Sequence, residues 1–325
     1  MKNRLPDWFK QEIPGERTLK ISRLISEFRL NSVCREAKCP NISDCFKDNQ
    51  ATFMILGNTC TRNCRFCNLG TVLNSKQKCP QEGDSSASAR EPSLQGLDED
   101  EPSRISQLVK LLGLEFVVIT SVTRDDLPDG GASMFVKTIE LIRQNNKDIN
   151  PVRNITNTER CSKISNGVKI EVLIPDFQGE LGSLRRVTSA GPDVIAHNIE
   201  TVERLYGELR PMADYQRSLD IIKTIKKLKP EVTTKSSIML GIGETHSEVI
   251  KTIKDLRDHQ CDCLTLGQYL APTAEHYPVK EFVTIEQFRE YGEIALRLGF
   301  KAVLSGPKVR SSYKAEELYR EFSHA

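Results

Sequence analysis

The sequence predicts an α/β protein built as a complete or partial (β/α) barrel, and three observations carry the prediction. Near-continuously apolar, strand-like runs recur at Thr52–Leu56, Phe116–Thr120, Val168–Ile174, Val194–His197, Ser236–Leu240, Leu264–Tyr269 and Lys301–Leu304. Amphipathic helical spacing fills most of the intervals, over Ile105–Leu112, Met134–Arg143, Gln216–Leu228, Ser247–His259 and Ile285–Leu298. Apolar strands alternating with helices imply a parallel sheet covered on both faces. No glycine-rich dinucleotide fingerprint follows the first strand, so six or seven such units fit a barrel better than a doubly wound sheet.

Ahead of the first strand, residues 4–33 carry Leu19, Leu24, Ile25 and Phe28 at helical spacing, which suits a helical or extended arm. The stretch Cys34-Arg35-Glu36-Ala37-Lys38-Cys39-Pro40-Asn41-Ile42-Ser43-Asp44-Cys45 follows, with thiols separated by four and five residues. It has little apolar periodicity, so a metal group is the staple that would hold it. Directly after the first strand come Cys60, Cys64 and Cys67, separated by three and two residues. Closely spaced thiolates hold iron–sulfur clusters, usually four per cluster, and a set of three leaves one iron open for chemistry. Zinc takes similar spacings but needs a fourth ligand, and on the C-terminal side the next His or Cys is Cys79. Two polar, aperiodic stretches, at about 71–100 and 145–166, read as surface insertions. There is no internal repeat.

Composition sets the frame for these motifs. The 325 residues are 28% charged and 38% hydrophobic with a net charge of +2, an ordinary balance that gives no reason to expect nucleic acid or an anionic membrane as partner. No apolar run approaches a membrane span, and Asp7, Glu12 and Glu16 argue against an acid-poor transit peptide, so a cytoplasmic location is expected. Six of the ten cysteines fall between Cys34 and Cys67. In a reducing compartment such clustering reads as metal ligation more naturally than as a disulfide framework. Cys79, Cys161, Cys261 and Cys263 lack that spacing and have no assigned role.

Barrel enzymes assemble their sites at the C-terminal ends of the strands. Here each strand runs into a distinctive polar loop. After the second come Ser121-Val122-Thr123-Arg124-Asp125-Asp126 and, further on, Asp129-Gly130-Gly131; after the third, Pro175-Asp176-Phe177. The fourth gives His197-Asn198-Ile199-Glu200-Thr201, the fifth Gly241-Ile242-Gly243-Glu244, the sixth Gln268-Tyr269-Leu270, and the last Ser305 to Tyr313. Taken singly, Asp125, Asp126 and Asp129 suit turns and caps, Gly241 and Gly243 suit strand ends, and His197 suits a core position. Together they define one rim.

On these residues the chain resembles a known family. Cys60-x3-Cys64-x2-Cys67, with Phe66 before the last thiol, is similar to the cluster motif of radical S-adenosylmethionine (SAM) enzymes. The upstream triplet and Arg310-Ser311-Ser312-Tyr313 together resemble the lipoyl synthases. The match runs through Thr120–Gly131, His197–Thr201, Gly241–Glu244 and Gly267–Leu270, and covers most of residues 4–316 apart from the insertions. The resemblance implies a partial (β/α)6-type TIM barrel over 51–300. An N-terminal extension (1–50) and a C-terminal extension (301–325) would close over the barrel mouth. It implies two 4Fe-4S clusters. Cys60, Cys64 and Cys67 would hold the one whose open iron chelates SAM. Cys34, Cys39, Cys45 and Ser312 would hold an auxiliary cluster consumed as the sulfur source. The implied reaction inserts sulfur at carbons 6 and 8 of octanoyl-lysine by way of a 5′-deoxyadenosyl radical. For SAM contacts it implies Thr120, Ser121, Asn198, Glu200, Gly241, Gly243 and Glu244, with Arg124 and Arg310 orienting clusters or carboxylates. Implied partners are octanoylated carriers (the lipoyl domain of 2-oxoacid dehydrogenase E2 subunits, the glycine cleavage H protein), a flavodoxin- or ferredoxin-like electron donor, and an iron–sulfur carrier for cluster repair.

Two other readings stay open at this level. One is a different radical SAM enzyme whose second cluster only relays electrons. The other is a binding protein stapled by zinc at both triplets, which leaves the polar rim unexplained.

Overall fold

The computed structural model describes residues 6–9, 13–48, 50–72, 96–146 and 167–323. Most of both insertions, with Cys79 and Cys161, lies outside the described residues. The main sheet runs from edge to edge through β1 (Asn31–Ser32), β2 (Thr52–Ile55), β5 (Phe116–Ser121), β6 (Lys169–Leu173), β7 (Val194–Ala196), β8 (Thr233–Leu240), β9 (Cys263–Gln268) and β10 (Ala302–Gly306), while β3 (Thr59–Cys60) and β4 (Gly70–Thr71) pair apart from it. From β2 onward every pair is parallel, with Thr52 opposite Val118 and Ala302 opposite Cys263; only β1 runs antiparallel, against β2. Helices connect successive strands, as the alternation predicts, and the order leaves β1 and β10 at the two edges. This is an open, partial barrel.

The main helical miss in the barrel is Leu181–Ser189, between β6 and β7. Its Gly182, Ser183, Thr188 and Ser189 dilute the apolar spacing, yet Leu184 and Val187 are buried. Glu180 starts it by accepting hydrogen bonds from the Gly182 and Ser183 amides. Strand β8 begins at Thr233, earlier than expected, because its polar run Thr233-Thr234-Lys235-Ser236 is buried. Lys235 is accommodated there by Glu171, at 2.7 and 2.9 Å. A buried charge survives only when paired in this way.

The N-terminal segment forms a helix (Glu16–Glu27) and two short ones (Val33–Glu36 and Ile42–Lys47). Ile21, Ile25 and Phe46 join Phe53, Ile105 and Phe135 in one buried cluster, so this segment packs on the first barrel strands. The last helix, Ala315–Ser323, was not foreseen. Its Ala315 packs on Phe116 and Val118 of β5, and its Leu318 on Cys263, Ala302 and Leu304. It thereby touches strands from both sides of the sheet. No helix among the described residues is long and apolar enough to cross a membrane.

The end of β2 shows how the first loop is launched. Leu56 takes a left-handed φ of 71°, and its amide donates to Glu101 Oε2 at 2.8 Å. Glu101 is 3% exposed, and burial pushes its carboxyl up to about 7 from 4.5. The folded state therefore favours the protonated acid, so this group weakens folding as pH rises from about 4.5 to about 7. Glu101→Gln should flatten that dependence by up to about 1.4 kcal/mol per pH unit in urea unfolding. Parallel pH profiles for variant and wild type would contradict this role.

Candidate metal centres

The loop carrying Cys60, Cys64 and Cys67 leaves the mouth of the barrel and is tied to it on every side. A two-strand ladder, β3 (Thr59–Cys60) with β4 (Gly70–Thr71), closes its base. The Thr61 amide donates to the Thr123 carbonyl at 3.0 Å, and the Arg65 amide to the Leu209 carbonyl at 2.9 Å. His276 Nε2 lies 3.2 Å from the Cys67 carbonyl. The strongest tie is Arg62, 5% exposed, whose guanidinium forks onto Asp125 (2.7 and 2.9 Å) and Asp176 (3.0 and 2.6 Å). Arg217 adds a bond to Asp176 at 2.9 Å. Burial alone would raise the Asp176 carboxyl, but the Arg62 charge and bonds hold it well below the ordinary range. Such paired, bidentate contacts fix geometry as well as energy.

Of the eight buried side-chain polar atoms without a protein partner among the described residues, Asn63 Oδ1 lies on this loop, Ser121 Oγ at the end of β5, and His197 Nε2, Asn198 Oδ1, Thr201 Oγ1 and Arg210 Nε in the segment after β7, with Ser32 Oγ and Asn146 Oδ1 elsewhere. Buried polar groups are nearly always paired, so this concentration marks a place for a polar ligand. Arg210 donates to the Ile199 carbonyl (3.1 Å) and Tyr206 Oη (2.9 Å) and stacks on the Tyr206 ring at 5.1 Å. Its charge acts on both Cys64 and Glu200. Burial pushes Glu200 up while Arg210 pulls it down, and Asn198 Nδ2 donates to Glu200 at 3.0 Å. Burial, reinforced by neighbouring thiols, pushes Cys64 up and Cys67 up to about 12. Metal binding needs thiolates, so a crowded set of this kind becomes favourable when a cation replaces the protons.

The other rim residues divide by role. Thr120 Oγ1 donates to the Leu173 carbonyl at 3.0 Å, bridging two strands, whereas Ser121 Oγ beside it has no partner. Glu244 accepts from the Gly241 and Ile242 amides at 2.6 and 2.9 Å and so shapes its own loop. Gly241 has φ 87°, and a Cβ there would lie 2.2 Å from the Glu281 carbonyl oxygen. Gly243, with φ 114°, completes that turn. Asp126 pairs with Arg124 (2.8 Å), and Asp129 accepts from the Gly131 and Ser133 amides, the turn-and-cap role. His197 is buried, with Nδ1 2.9 Å from the Ile174 carbonyl, and burial pushes it down to about 4.

The second triplet lies at the other end of a short bridge. Asn68, next to Cys67, donates to the Glu36 carbonyl at 2.6 Å, between Cys34 and Cys39. Cys34, Cys39 and Cys45 line one recess with Arg310, Ser312, Tyr313 and the β5 residues Phe116 and Val118. The recess is partly open to solvent. Burial, with the other thiols adding to it, pushes Cys34 up to about 11 and Cys45 further. Ser312 reaches this recess because the chain after β10 crosses β9 at Gly267, where a Cβ would stand 2.0 Å from the Val309 carbonyl oxygen. Asn41 Nδ2 then fixes the crossing by donating to the Lys308 carbonyl at 2.5 Å. Among the described residues no three His, Cys, Asp or Glu side chains close on a single ion position.

Sequence reasoning passed over Arg62 and Arg210 and the steric part played by Gly267. Arg62 sits inside the cysteine motif, and a glycine within a strand signals close approach of another backbone. Arg210 had no such signal. Cys261 and Cys263 are buried in the barrel wall, Cys261 Sγ donating to the Cys263 carbonyl.

Comparison with known proteins follows the same lines. Residues 54–256 match the family model described as the radical SAM superfamily. The chain is 47% identical over 313 residues to a lipoyl synthase of Caldanaerobacter subterraneus subsp. tengcongensis, covering 96% of each. It is 46% identical over 298 residues to a lipoyl synthase of Aquifex aeolicus, covering 92% of this chain and 94% of the relative. Among solved structures, HydG, a maturase of the FeFe-hydrogenase, aligns with a TM-score of 0.54 at 12% identity over 82% of this chain and 53% of its own, a likeness of fold.

Proposed function

Because the chain belongs to the lipoyl synthase family of the radical SAM superfamily, and so to the sulfurtransferase enzymes, we propose that its two thiol triplets hold two 4Fe-4S clusters with different tasks. In this reading Cys60, Cys64 and Cys67 hold the SAM-binding cluster, and Cys34, Cys39, Cys45 and Ser312 hold the auxiliary one. The observation that carries it is the recess in which Ser312 meets the upstream thiols across most of the chain's length. When bound, the first cluster would pass one electron from an external reductant to SAM, whose cleavage to methionine would give the 5′-deoxyadenosyl radical that takes hydrogen from the octanoyl chain, and the second would supply the sulfur for carbons 6 and 8.

The chain's own residues bind, orient and shield. Arg62 holds the first loop at the barrel mouth through Asp125 and Asp176. Ser121, Asn198, Glu200 and Arg210 offer donors, acceptors and a cation to the amino, carboxylate and ribose groups of SAM. Gly241, Gly243 and Glu244 form a turn against which its adenine packs, while Thr120 ties β5, beside Ser121, to the adjoining strand β6. The barrel walls keep water and stray hydrogen donors from the reacting carbon. Ser312 gives an oxygen donor, harder than thiolate and more readily displaced from iron, which suits a cluster that is dismantled.

The substrate is a protein-bound octanoyl-lysine on a lipoyl carrier domain, with a flavodoxin- or ferredoxin-like reductant and an iron–sulfur carrier serving the cycle in the cytoplasm. The two extensions, 1–50 and 301–325, are the parts that distinguish this enzyme from a generic radical SAM barrel. The test is anaerobic reconstitution with iron and sulfide, then SAM, a reductant and an octanoylated carrier peptide. Two sulfurs per acyl chain, with loss of sulfide from the protein, is the expected result. 5′-Deoxyadenosine without sulfur insertion would favour a relay role for the second cluster, and neither product would refute the enzyme reading. Ser312→Ala should lower auxiliary-cluster iron and stop sulfur insertion; full occupancy and normal insertion would remove Ser312 from the ligand set.

A further inference from the structure

The two thiol triplets are anchored to the barrel separately. The Cys60 loop hangs on Asp125 and Asp176 through Arg62, while the Cys34–Cys45 segment is seated by Cys34 and Phe46 in the cluster that holds Ile25 and Phe53. Asn68 links the two directly, its Nδ2 donating to the Glu36 carbonyl at 2.6 Å. The sequence prepares both ends of that bond. Val33–Glu36 is one helical turn, and the Ala37, Lys38 and Cys39 amides take the Val33, Arg35 and Cys34 carbonyls. Continued as a helix, the Glu36 carbonyl would accept from the residue four positions on, which is Pro40 and has no N–H. It must find a donor from elsewhere in the chain. At the other end Cys67 is clamped. Its amide donates to the Cys64 carbonyl at 3.1 Å, and its own carbonyl lies 3.2 Å from His276 Nε2. A carbonyl only accepts, so Nε2 carries the proton, and Thr273 Oγ1 lies 2.8 Å from the other ring nitrogen. Asn68 therefore reaches from a fixed point to a carbonyl that lies between Cys34 and Cys39.

We propose that Asn68 is a positioning residue that sets the offset between the two centres. The proposal rests on the lipoyl synthase reading above and adds how their spacing is kept. In that reading one carbon must face first the radical formed at one triplet and then a sulfur held at the other. A misplacement of about 1 Å between reacting groups is enough to cost roughly a hundredfold in rate. The supports of each triplet fix it to the barrel, whereas the Asn68–Glu36 bond fixes one triplet to the other.

Asn68→Leu keeps the size and removes the donor, and Asn68→Gln keeps the donor on a side chain one methylene longer. Both are reconstituted with iron and sulfide and compared with wild type on an octanoylated carrier peptide, with dithionite as electron source. In wild type a 5′-deoxyadenosine should form for each sulfur inserted. SAM takes one electron and parts into methionine and the radical, which takes one hydrogen atom from the acyl chain. Asn68→Leu should keep full iron, the rate of SAM cleavage and the KM for the peptide. Its 5′-deoxyadenosine per sulfur should rise roughly tenfold, the surplus radicals being quenched by a hydrogen atom from reductant or buffer. Asn68→Gln should recover at least half of that loss. Spacing is read directly by the magnetic dipolar coupling between the two reduced clusters in low-temperature electron paramagnetic resonance. That coupling should change in Asn68→Leu and return toward wild type in Asn68→Gln. Both changes are required: a wild-type product ratio or an unchanged coupling in Asn68→Leu overturns the spacing role and leaves the enzyme reading intact. Loss of iron in Asn68→Leu also overturns it, since Asn68 then supports one centre and does not space two. If wild type inserts no sulfur, the enzyme reading falls and the spacing role with it.

Discussion

Replacing Arg62 by methionine should destabilise the protein by about 3–5 kcal/mol, because Asp125 and Asp176 lose the cation that they enclose. Asp176 is 2% exposed and keeps, beside the Gln178 amide, only the more open Arg217 as a bonded cation. The loss should reach beyond stability. Arg62 bonds the first cysteine loop to the loops after both β5 and β6, so without it the three thiols lose their common frame. Iron bound at this site after anaerobic reconstitution should fall severalfold, with the unfolding midpoint in urea falling in step. Unchanged iron content and a midpoint shift worth less than about 0.5 kcal/mol would show that the loop is held by its backbone bonds alone. The charge network also has a pH signature. Asp176 titrates below its unfolded value of 3.8, so its contribution is present above that pH and lost only as pH falls through the depressed folded value.

The second large effect concerns Gly267. A methyl group there meets the Val309 carbonyl oxygen at 2.0 Å and its carbon at 2.9 Å, both backbone atoms that cannot swing aside. Gly267→Ala should therefore lift the 307–314 segment off β9 and carry Ser312 out of the recess, while the Cys60 loop keeps all its supports. Under the proposed assignment, reconstituted iron drops from about eight to about four per chain. SAM cleavage to 5′-deoxyadenosine persists, and sulfur insertion ceases. Iron and sulfide analysis beside the two product assays checks this. A variant with full iron and normal insertion would mean that the C-terminal segment adapts around the new side chain.

Much of the barrel was legible because its signal is local and repeated. Strands such as Val194–Ala196 and, in β5, Phe116–Ile119 are apolar throughout, as strands buried on both faces tend to be. The cysteine loops were legible because ligand spacing survives in sequence. Features that depend on tertiary context were less visible. Thr233–Ser236 reads as polar and becomes strand because Glu171 and neighbouring strands satisfy it. Leu181–Ser189 becomes helix because Leu184 and Val187 find a core. Arg210 stands between Cys64 and Glu200 only after β7 and the following turn bring it there, and nothing adjacent in the chain announces it. Ser312 was located by resemblance; its spatial meeting with Cys34 follows from the crossing at Gly267.

That crossing sets an order of events during synthesis. The supports of the Cys60 loop, from Asp125 and Asp176 to Arg210 and His276, are all translated before β10. Ser312 leaves the ribosome only after every strand of the sheet. A nascent chain can thus frame its first thiol triplet while the second still lacks its oxygen-bearing wall. Under the proposed assignment the Ser312-containing centre is therefore completed only once the 307–314 segment docks across β9.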